Sequence, residues 1–560
     1  MIADNIDWFE KLKSSTSYKN LQERSIAYFC AEYALGPGLS LYAGGLGVLA
    51  GDYVREAGDQ GIPLSAVGIY YAKGFTHREL SPEGRVVDLH DGMNPEDAAL
   101  EAIKDEKGKV IEVTVPIGET NVAVRAWKFN YKTANVYLLD ARVEGNSEQD
   151  QHITDTLYTT DKETRLKQEM VLGIGGLRML FAMGIHSEIY HFNEGHSAFL
   201  IYELIRHEMV EHKLDFDKAQ ELVKKRVLFT NHTLLPAGND VFSNDLVSLL
   251  LSNYAEEIAI PVKELVDLGL VQQSSTFSMT MLAMRSAGKI NAVSKLHATK
   301  AKEIWTDHPM IPITNGIHLP TWDQIGEGDI WSKHKENKRK LIKLIEDQTG
   351  TIWDENAIIL GWARRIVRYK RPLALVERLK QFGEMARSTS RPIHLVFAGI
   401  SHPSDDDGRV ILEELQYRLA SDLKGVAVYL PRYKTTLSKI MTAGCDVWIN
   451  TPVVGFEACG TSGMKAALNG VLPMSTRDGW MAEIEMLGVG WALEDTDLTE
   501  NMLSKLRNEI LPLYYARNEQ GLPSDWIQMM KNARQLILND FSMTRVLRQY
   551  LDEGMGIKLE

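Results

Sequence analysis

Short β-branched and aromatic runs alternate with longer helical patterns along most of this chain, and that alternation constrains the fold more than any other feature. Ser25 to Cys30, Ser65 to Tyr71, Ser187 to Phe192, Arg226 to Thr230 and Ile290 to Ser294 read as buried strands. A second series follows in Ile358 to Trp362, Ile393 to Ile400, Val426 to Leu430 and Val447 to Asn450. Helical segments lie between them, for example from Pro372, which suits a first helical turn, to about Arg387. Strand and helix alternating over both halves predict an α/β protein with two doubly wound, Rossmann-like domains facing a cleft. A length of 560 residues also exceeds one ordinary core. The first domain is expected over 1–317, with an antiparallel insertion near 108–140 carried by Val110 to Val115, Val122 to Trp127 and Asn135 to Leu139. The second is expected over 318–560, with Asp323 to Lys335 as a connection. The last helices, after Ser524 and near Met543 to Asp552, could pack back on the first domain.

Composition then excludes several classes. Hydrophobic content of 44% and charge of 24% are those of a soluble globular chain, and no apolar run is long enough to span a bilayer. The segment Met1-Ile-Ala-Asp-Asn-Ile-Asp lacks the basic and apolar regions of a signal peptide, so the cytoplasm is the expected compartment. Cys30, Cys445 and Cys459 fit neither a disulfide framework nor a zinc site, and no metal is expected. A net charge of −13 provides no general field for nucleic acid. Any anion site must therefore be built locally.

Three segments offer one. From Glu457 to Lys465, Glu-Ala-Cys-Gly-Thr-Ser-Gly-Met-Lys puts a carboxylate, a small-residue turn and a lysine after an apolar run. The turn can bring amides to a phosphate, and the lysine can form a Schiff base with a phosphate-bearing aldehyde, pyridoxal phosphate. Tyr42-Ala-Gly-Gly-Leu-Gly-Val-Leu-Ala-Gly, in the first βα unit, lets a backbone approach a ligand closely. From Arg364 to Arg371 there are five cations in eight residues, directly after a strand. Two phosphates in one pocket need about that much charge. Each segment also has a plainer reading: a helix-capping turn with a solvated lysine, a bare β–α turn, a solvated helix face. Asn231-His232-Thr233, Asn193-Glu194-Gly195-His196 and Thr314-Asn315-Gly316-Ile317 with Trp322 are further polar groups at strand ends or at the expected domain junction, and a lone histidine after a strand is often structural.

In order and on both halves, from about Ile26 to Ile484, these segments resemble the α-glucan phosphorylases, the glycogen, starch and maltodextrin phosphorylase family. The resemblance implies the GT-B glycosyltransferase fold, with a glucan- and sugar-binding first domain and a cofactor-binding second. It implies Lys465 as the lysine of pyridoxal 5'-phosphate, with Arg364, Arg432, Thr461 and Ser462 toward the cofactor phosphate and Trp322 and Tyr369 lining its site. Arg365 and Lys370 would hold inorganic phosphate or the phosphate of glucose 1-phosphate. Gly44, Gly45 and Leu46 would orient the sugar phosphate. Asn193, His196, His232, Asn315, Glu457, Cys459 and Gly460 would meet the sugar. The backbone carbonyl of His232 would face the anomeric centre, where an oxocarbenium-like transition state gains from a dipole.

The reaction so implied is retaining phosphorolysis of terminal α-1,4-linked glucose to α-glucose 1-phosphate, with the cofactor phosphate as proton relay. A homodimer is implied by resemblance alone. Cys459 stands where many members have Ser, Gly463 where they have Asn, and Arg364 where Lys is frequent. The segment Leu157-Tyr-Thr-Thr-Asp161 replaces a more Gly-rich gate, and Arg165-Leu-Lys-Gln-Glu169 matches a family segment read as scaffolding or loop control. The chain is shorter than the animal enzymes, so no N-terminal phosphorylation or nucleotide control is expected. Two alternatives stand beside this reading. A nucleotide-sugar glucan transferase shares the fold and the Gly-Gly-Leu-Gly loop, but such enzymes often pair Glu with Glu eight positions on, where Glu457 here meets Lys465. A non-catalytic glucan-binding homologue is the other, against which the intact Lys465, Arg365, Lys370 and His232 argue.

Overall fold

Residues 2–81, 83–234, 238–271 and 274–559 are described by a computed structural model. The chain divides into two compact units, one holding Ala3–Phe75, His90–Thr314 and Thr544–Glu560, the other chiefly Thr76–Leu89 and Asn315–Met543.

In the first unit the β-branched runs pair as one sheet. Seven strands run parallel in the spatial order Ile311–Pro312, Lys289–Ala292, Val227–Asn231, Ile189–Asn193, Ile26–Phe29, Leu64–Ile69 and Ala134–Asp140. Counted along the chain and read from the Ala134–Asp140 side, that order is 3-2-1-4-5-6-7. Its direction of winding reverses between Ile26–Phe29 and Ile189–Asn193, where Ile26 faces Ile189. The central strands are buried along their whole length, as expected of parallel strands covered on both faces. Beyond Ala134–Asp140 the sheet turns antiparallel through Thr120–Tyr131, which also pairs with Glu112–Ile117 and Glu101–Ala102. The antiparallel stretch is therefore continuous with the main sheet. Ala134–Asp140 belongs to both parts, parallel to Leu64–Ile69 on one side and antiparallel to Thr120–Tyr131 on the other. Tyr550 closes an aromatic cluster in this unit, edge-on to Tyr53 at 5.6 Å and 4.8 Å from His191.

The second unit contains a six-stranded, wholly parallel sheet: Ala427–Leu430, Ile393–Ala398, Ile358–Ala363, Val447–Asn450, Leu472–Thr476 and Trp491–Leu493. Along the chain this order is 3-2-1-4-5-6, with the reversal between Ile358–Ala363 and Val447–Asn450. Leu341 and Ile345 of the helix Ile330–Thr349 pack with Trp353, Ile359, Val396 and Trp448 in its core. The same helix sends Lys338 Nζ to Asp446 Oδ2 at 2.6 Å and His334 Nε2 to Asp446 Oδ1 at 2.9 Å, so the buried carboxylate is paired.

Two local expectations change. The helix placed from Pro372 begins as an α-helix only at Leu379, after a short 3-10 turn at Ala374–Val376. Arg371 is left-handed (φ 45°), and the carbonyls of Ala374 and Val376 are taken by the Thr499 hydroxyl and the Arg418 guanidinium instead of helical amides. Within the stretch read as a connection, Asp329 caps a helix that is already under way by Ile330.

Candidate active site

In open parallel sheets the reversal of winding leaves a crevice beyond the carboxyl ends of the strands. In the second unit, the strand Ile358–Ala363 delivers Arg364 there. Arg364 is buried; Nη1 donates to Glu457 Oε2 at 3.1 Å and Nη2 to Ser462 Oγ at 3.3 Å. Lys370 Nζ reaches both oxygens of the same carboxylate, at 3.2 and 3.0 Å. The remaining cations of the run separate. Arg371 binds the carbonyls of Thr451 and Pro452 and pairs with Asp495, while Arg368 pairs with Asp407 at the surface. Arg365 is exposed, and among the described residues it makes no ion pair.

Burial opposes ionisation of Glu457, but Lys370 and then Arg364 outweigh it, and the pKa falls to about 2. A carboxylate with a depressed folded-state pKa contributes stability that is complete above its unfolded value and is lost as pH falls through the folded one. Acid titration of the protein is therefore expected to leave this cluster intact down to about pH 4.5 and to dismantle it between there and about pH 2. Urea midpoints of wild type and Glu457→Gln measured across that window should converge toward the acid end.

The loop before Glu457 is held by a residue that sequence reasoning did not select. Asp478 Oδ2 accepts from the amides of Gly455, Phe456 and Glu457 at 3.0, 3.2 and 2.9 Å. It follows the buried strand Leu472–Thr476, beyond the carboxyl end where ligands bind in such sheets. Trp480 fixes the next turn, donating its amide to the Cys459 carbonyl and Nε1 to the Gly460 carbonyl at 3.1 Å. Gly460 is left-handed at φ 81°, and a Cβ on Gly463 would lie 3.3 Å from the Trp480 ring. A larger residue at 463 would meet that indole.

Thr461 precedes the helix Ser462–Leu468, which carries Lys465. Lys465 is 5% exposed, and its Nζ lies 3.9 Å from the ring centroid of Trp322; Lys439 reaches the same ring at 5.9 Å. Tyr369 lies beside Phe456, ring centroids 6.1 Å apart. Asn315 is buried next to Gly316, where any Cβ would come within 2.7 Å of the carbonyls of Phe541 and Ser542. Glycine is thus required for the close pairing of this segment with 541–543. Arg432 does not join the cluster: it is exposed and left-handed (φ 58°), with its amide on Glu79 Oε2.

The first unit has its own polar group at the reversal of its sheet. His232 Nε2 is 3.0 Å from Asn193 Oδ1, and the His232 amide donates to Glu194 Oε1 at 2.8 Å. Burial, with His297, His191 and His196 nearby, holds His232 well below the usual histidine range, so it is neutral. His196 belongs to a neighbouring group, with Nε2 3.4 Å from Asp240 Oδ2. Gly44 caps the helix Gly45–Asp59, and a Cβ on either Gly44 or Gly45 would meet nothing within 4 Å, whereas one on Gly47 would strike Tyr42 and Glu32. The first two glycines, with Leu46 next to them, are open to a ligand; the third serves packing. Glu32, the other residue sequence reasoning missed, accepts from the amides of Ala43 and Gly44 at 2.7 and 3.1 Å. It follows the first strand of the sheet, a position where ligand-binding residues are common.

Among the described residues no cluster of His, Cys, Asp or Glu could hold a metal ion, and no helix is long and apolar enough to cross a membrane. A family model described as carbohydrate phosphorylase matches residues 120–318 and 323–491. The maltodextrin phosphorylase of Thermococcus litoralis is 34% identical, over 98% of this chain and 71% of its own length. The glycogen phosphorylases of Aquifex aeolicus and Mycobacterium tuberculosis are 31% and 30% identical, over 96% and 97% of this chain and 87% and 72% of their own lengths. With a family match that reaches strands of both sheets and relatives aligned along nearly the whole sequence, the chain belongs to the carbohydrate phosphorylase family.

Proposed function

We propose that this protein is a pyridoxal-phosphate-dependent α-glucan phosphorylase, cleaving the terminal α-1,4-linked glucose of a glucan with inorganic phosphate and releasing α-D-glucose 1-phosphate with retention. The observation that carries the reading is the largely buried cluster in which Arg364 and Lys370 both pair with Glu457, the carboxylate that opens the turn leading into the Lys465 helix. In this reading each sheet is the core of a Rossmann-like domain of the GT-B plan, with sugar-binding residues on the first and cofactor-binding residues on the second.

The donor set suits the cofactor. Lys465 is a buried primary amine against an indole, the surroundings in which a lysine bonds to an aldehyde. Arg364 Nε is buried with no hydrogen-bond partner among the described residues, which leaves a cationic donor for a phosphate. Lys465 would hold the aldehyde carbon, Arg364, Thr461 and Ser462 the phosphate, and Trp322 and Tyr369 the walls; Arg432 would have to swing in from the surface. When bound, the cofactor supplies a phosphate group able to exchange a proton with the substrate phosphate.

The chain's own residues do the rest. Lys370 and Arg365 take the inorganic phosphate, and their charge offsets the repulsion of a second anion nearby. Glu457, kept ionised, accepts from sugar hydroxyls while sharing Lys370. The amides of Cys459 and Gly460, with Asn315, Asn193 and His196, fix the remaining hydroxyls, and the Gly44–Leu46 amides orient the phosphate. His232, being neutral, can hydrogen-bond a sugar hydroxyl without adding charge where positive charge develops at the anomeric carbon. One phosphate oxygen forms the new bond to that carbon, the glycosidic bond breaks, and the departing chain's oxygen takes up the proton that the inorganic phosphate carried.

Incubation of the protein with maltodextrin and inorganic phosphate, with and without added pyridoxal phosphate, is expected to yield glucose 1-phosphate in proportion to cofactor loading. Glucan elongation from a nucleotide sugar, with no phosphate-dependent product from the loaded protein, would overturn the reading in favour of a transferase.

A further inference from the structure

Two segments set apart by the sequence, Leu157–Asp161 and Arg165–Glu169, have no role in the site as described so far. The first is anchored at both ends. Leu157 pairs in parallel with Phe75, and the Asp161 side chain caps the helix Lys162–Met170, accepting from the Thr164 amide at 2.8 Å. Between these anchors Tyr158 adopts a left-handed backbone (φ 58°), a conformation costly for an aromatic residue unless its surroundings impose it. Those surroundings are specific. The Tyr158 hydroxyl donates to Glu32 Oε1 at 2.6 Å, the Arg165 guanidinium lies 4.7 Å from its ring centroid, and the His196 ring is 5.7 Å away. Arg165 is in turn fixed by Asp240 at 2.8 Å and Glu169 at 3.2 Å. The other oxygen of Glu32 accepts from the Ala43 and Gly44 amides. One hydroxyl thus connects the glycine loop, through a single carboxylate, to the Arg165 helix and the His196 loop.

We propose that Tyr158 is a positioning residue for the glycine loop: acting through Glu32, it fixes the direction in which the Gly45 and Leu46 amides present themselves to the substrate phosphate. The segment Leu157–Asp161 is on this account a fixed strut, where a Gly-rich segment would be a mobile gate. The inference rests on the phosphorolysis proposed above. Arg165 contributes by holding the ring, and Glu32 uses both oxygens, one accepting from the tyrosine hydroxyl and one from the loop amides.

The test compares cofactor-loaded wild type with Tyr158→Phe, Glu32→Gln and the double variant, by initial rates in each substrate and by hydrogen exchange over residues 41–48. Losing a hydrogen bond to a charged group should raise the KM for phosphate by roughly ten-fold, with the KM for maltodextrin within about two-fold. Exchange across the loop should be faster in each variant. The double variant should cost no more than the larger single change, because both act through one contact. Unchanged phosphate KM with a merely lower melting temperature would overturn the inference, as would additive losses in the double variant. If Tyr158→Phe does not fold, Glu32→Gln alone decides by the same KM split and exchange. Wild type that forms no glucose 1-phosphate would overturn the function and this inference with it, whereas an active wild type with indifferent variants overturns the inference alone.

Discussion

Replacing Lys465 by alanine is expected to reduce glucose 1-phosphate formation at least about a thousand-fold, equivalent to about 4 kcal/mol of transition-state stabilisation. An amine that is 5% exposed and stacked over Trp322 is held out of water at a definite place. An amine fixed in this way is well placed for a covalent link to an aldehyde. Alanine keeps the helix Ser462–Leu468, since its propensity is at least that of lysine, so the fold should persist. Three readouts belong together: product rate, the visible absorbance of bound cofactor, and the mass of the protein after borohydride reduction. Wild type should gain the mass of one cofactor and the variant none. A variant that retains activity and absorbance would remove Lys465 from the site.

Lys370→Ala should come next in size. Glu457 is shared between Lys370 and Arg364, and removing one partner of a buried pair typically costs about 3–5 kcal/mol. Where that loss is felt in the transition state, kcat/KM for phosphate falls by a few hundred-fold or more. The change should also raise the pKa of Glu457 from about 2 toward the ordinary carboxylate range, because Lys370 is the strongest of the charges that lower it. The acid limb of the pH–rate profile would then move up. The two effects are separable, since the rate loss persists at pH 8 and the limb shift does not. A fall of less than about five-fold at pH 8 would show that Lys370 does not hold phosphate.

How much of this was legible in the sequence varies with the physics of each element. Strands buried on both faces tend to announce themselves as unbroken apolar runs, so Val447 to Asn450 was placed without error and the other expected strands within a few residues, although the buried strand Leu472–Thr476 was not expected. The 372–378 segment was not legible. Its pattern is helical, and the carbonyls that a helix would use are taken by Thr499 and Arg418, which are far away in sequence. Arg364, Lys370, Glu457 and Lys465 could be singled out as candidates, and so could the glycines of the first unit, because each stands in a compact local motif. Asp478 and Glu32 were not, because they act on backbone amides of other segments, and a lone acid after a strand carries no local pattern. The run of five cations read as one patch, yet it divides into buried, carbonyl-bound and surface members that only tertiary contacts distinguish.

The path of the chain through its units has a consequence for synthesis. The sheet begun at Ile26 obtains its last aromatic partner from Tyr550, whose hydroxyl also accepts from Asn291 Nδ2 at 3.3 Å, and Lys289 Nζ donates to the Glu553 carbonyl at 2.6 Å. A ribosome making this protein releases nearly all of the second unit before those residues emerge. The half that is translated first is therefore finished last. Until then, Tyr28, Tyr53 and His191 present an unfilled aromatic face, the surface a chaperone would have reason to hold.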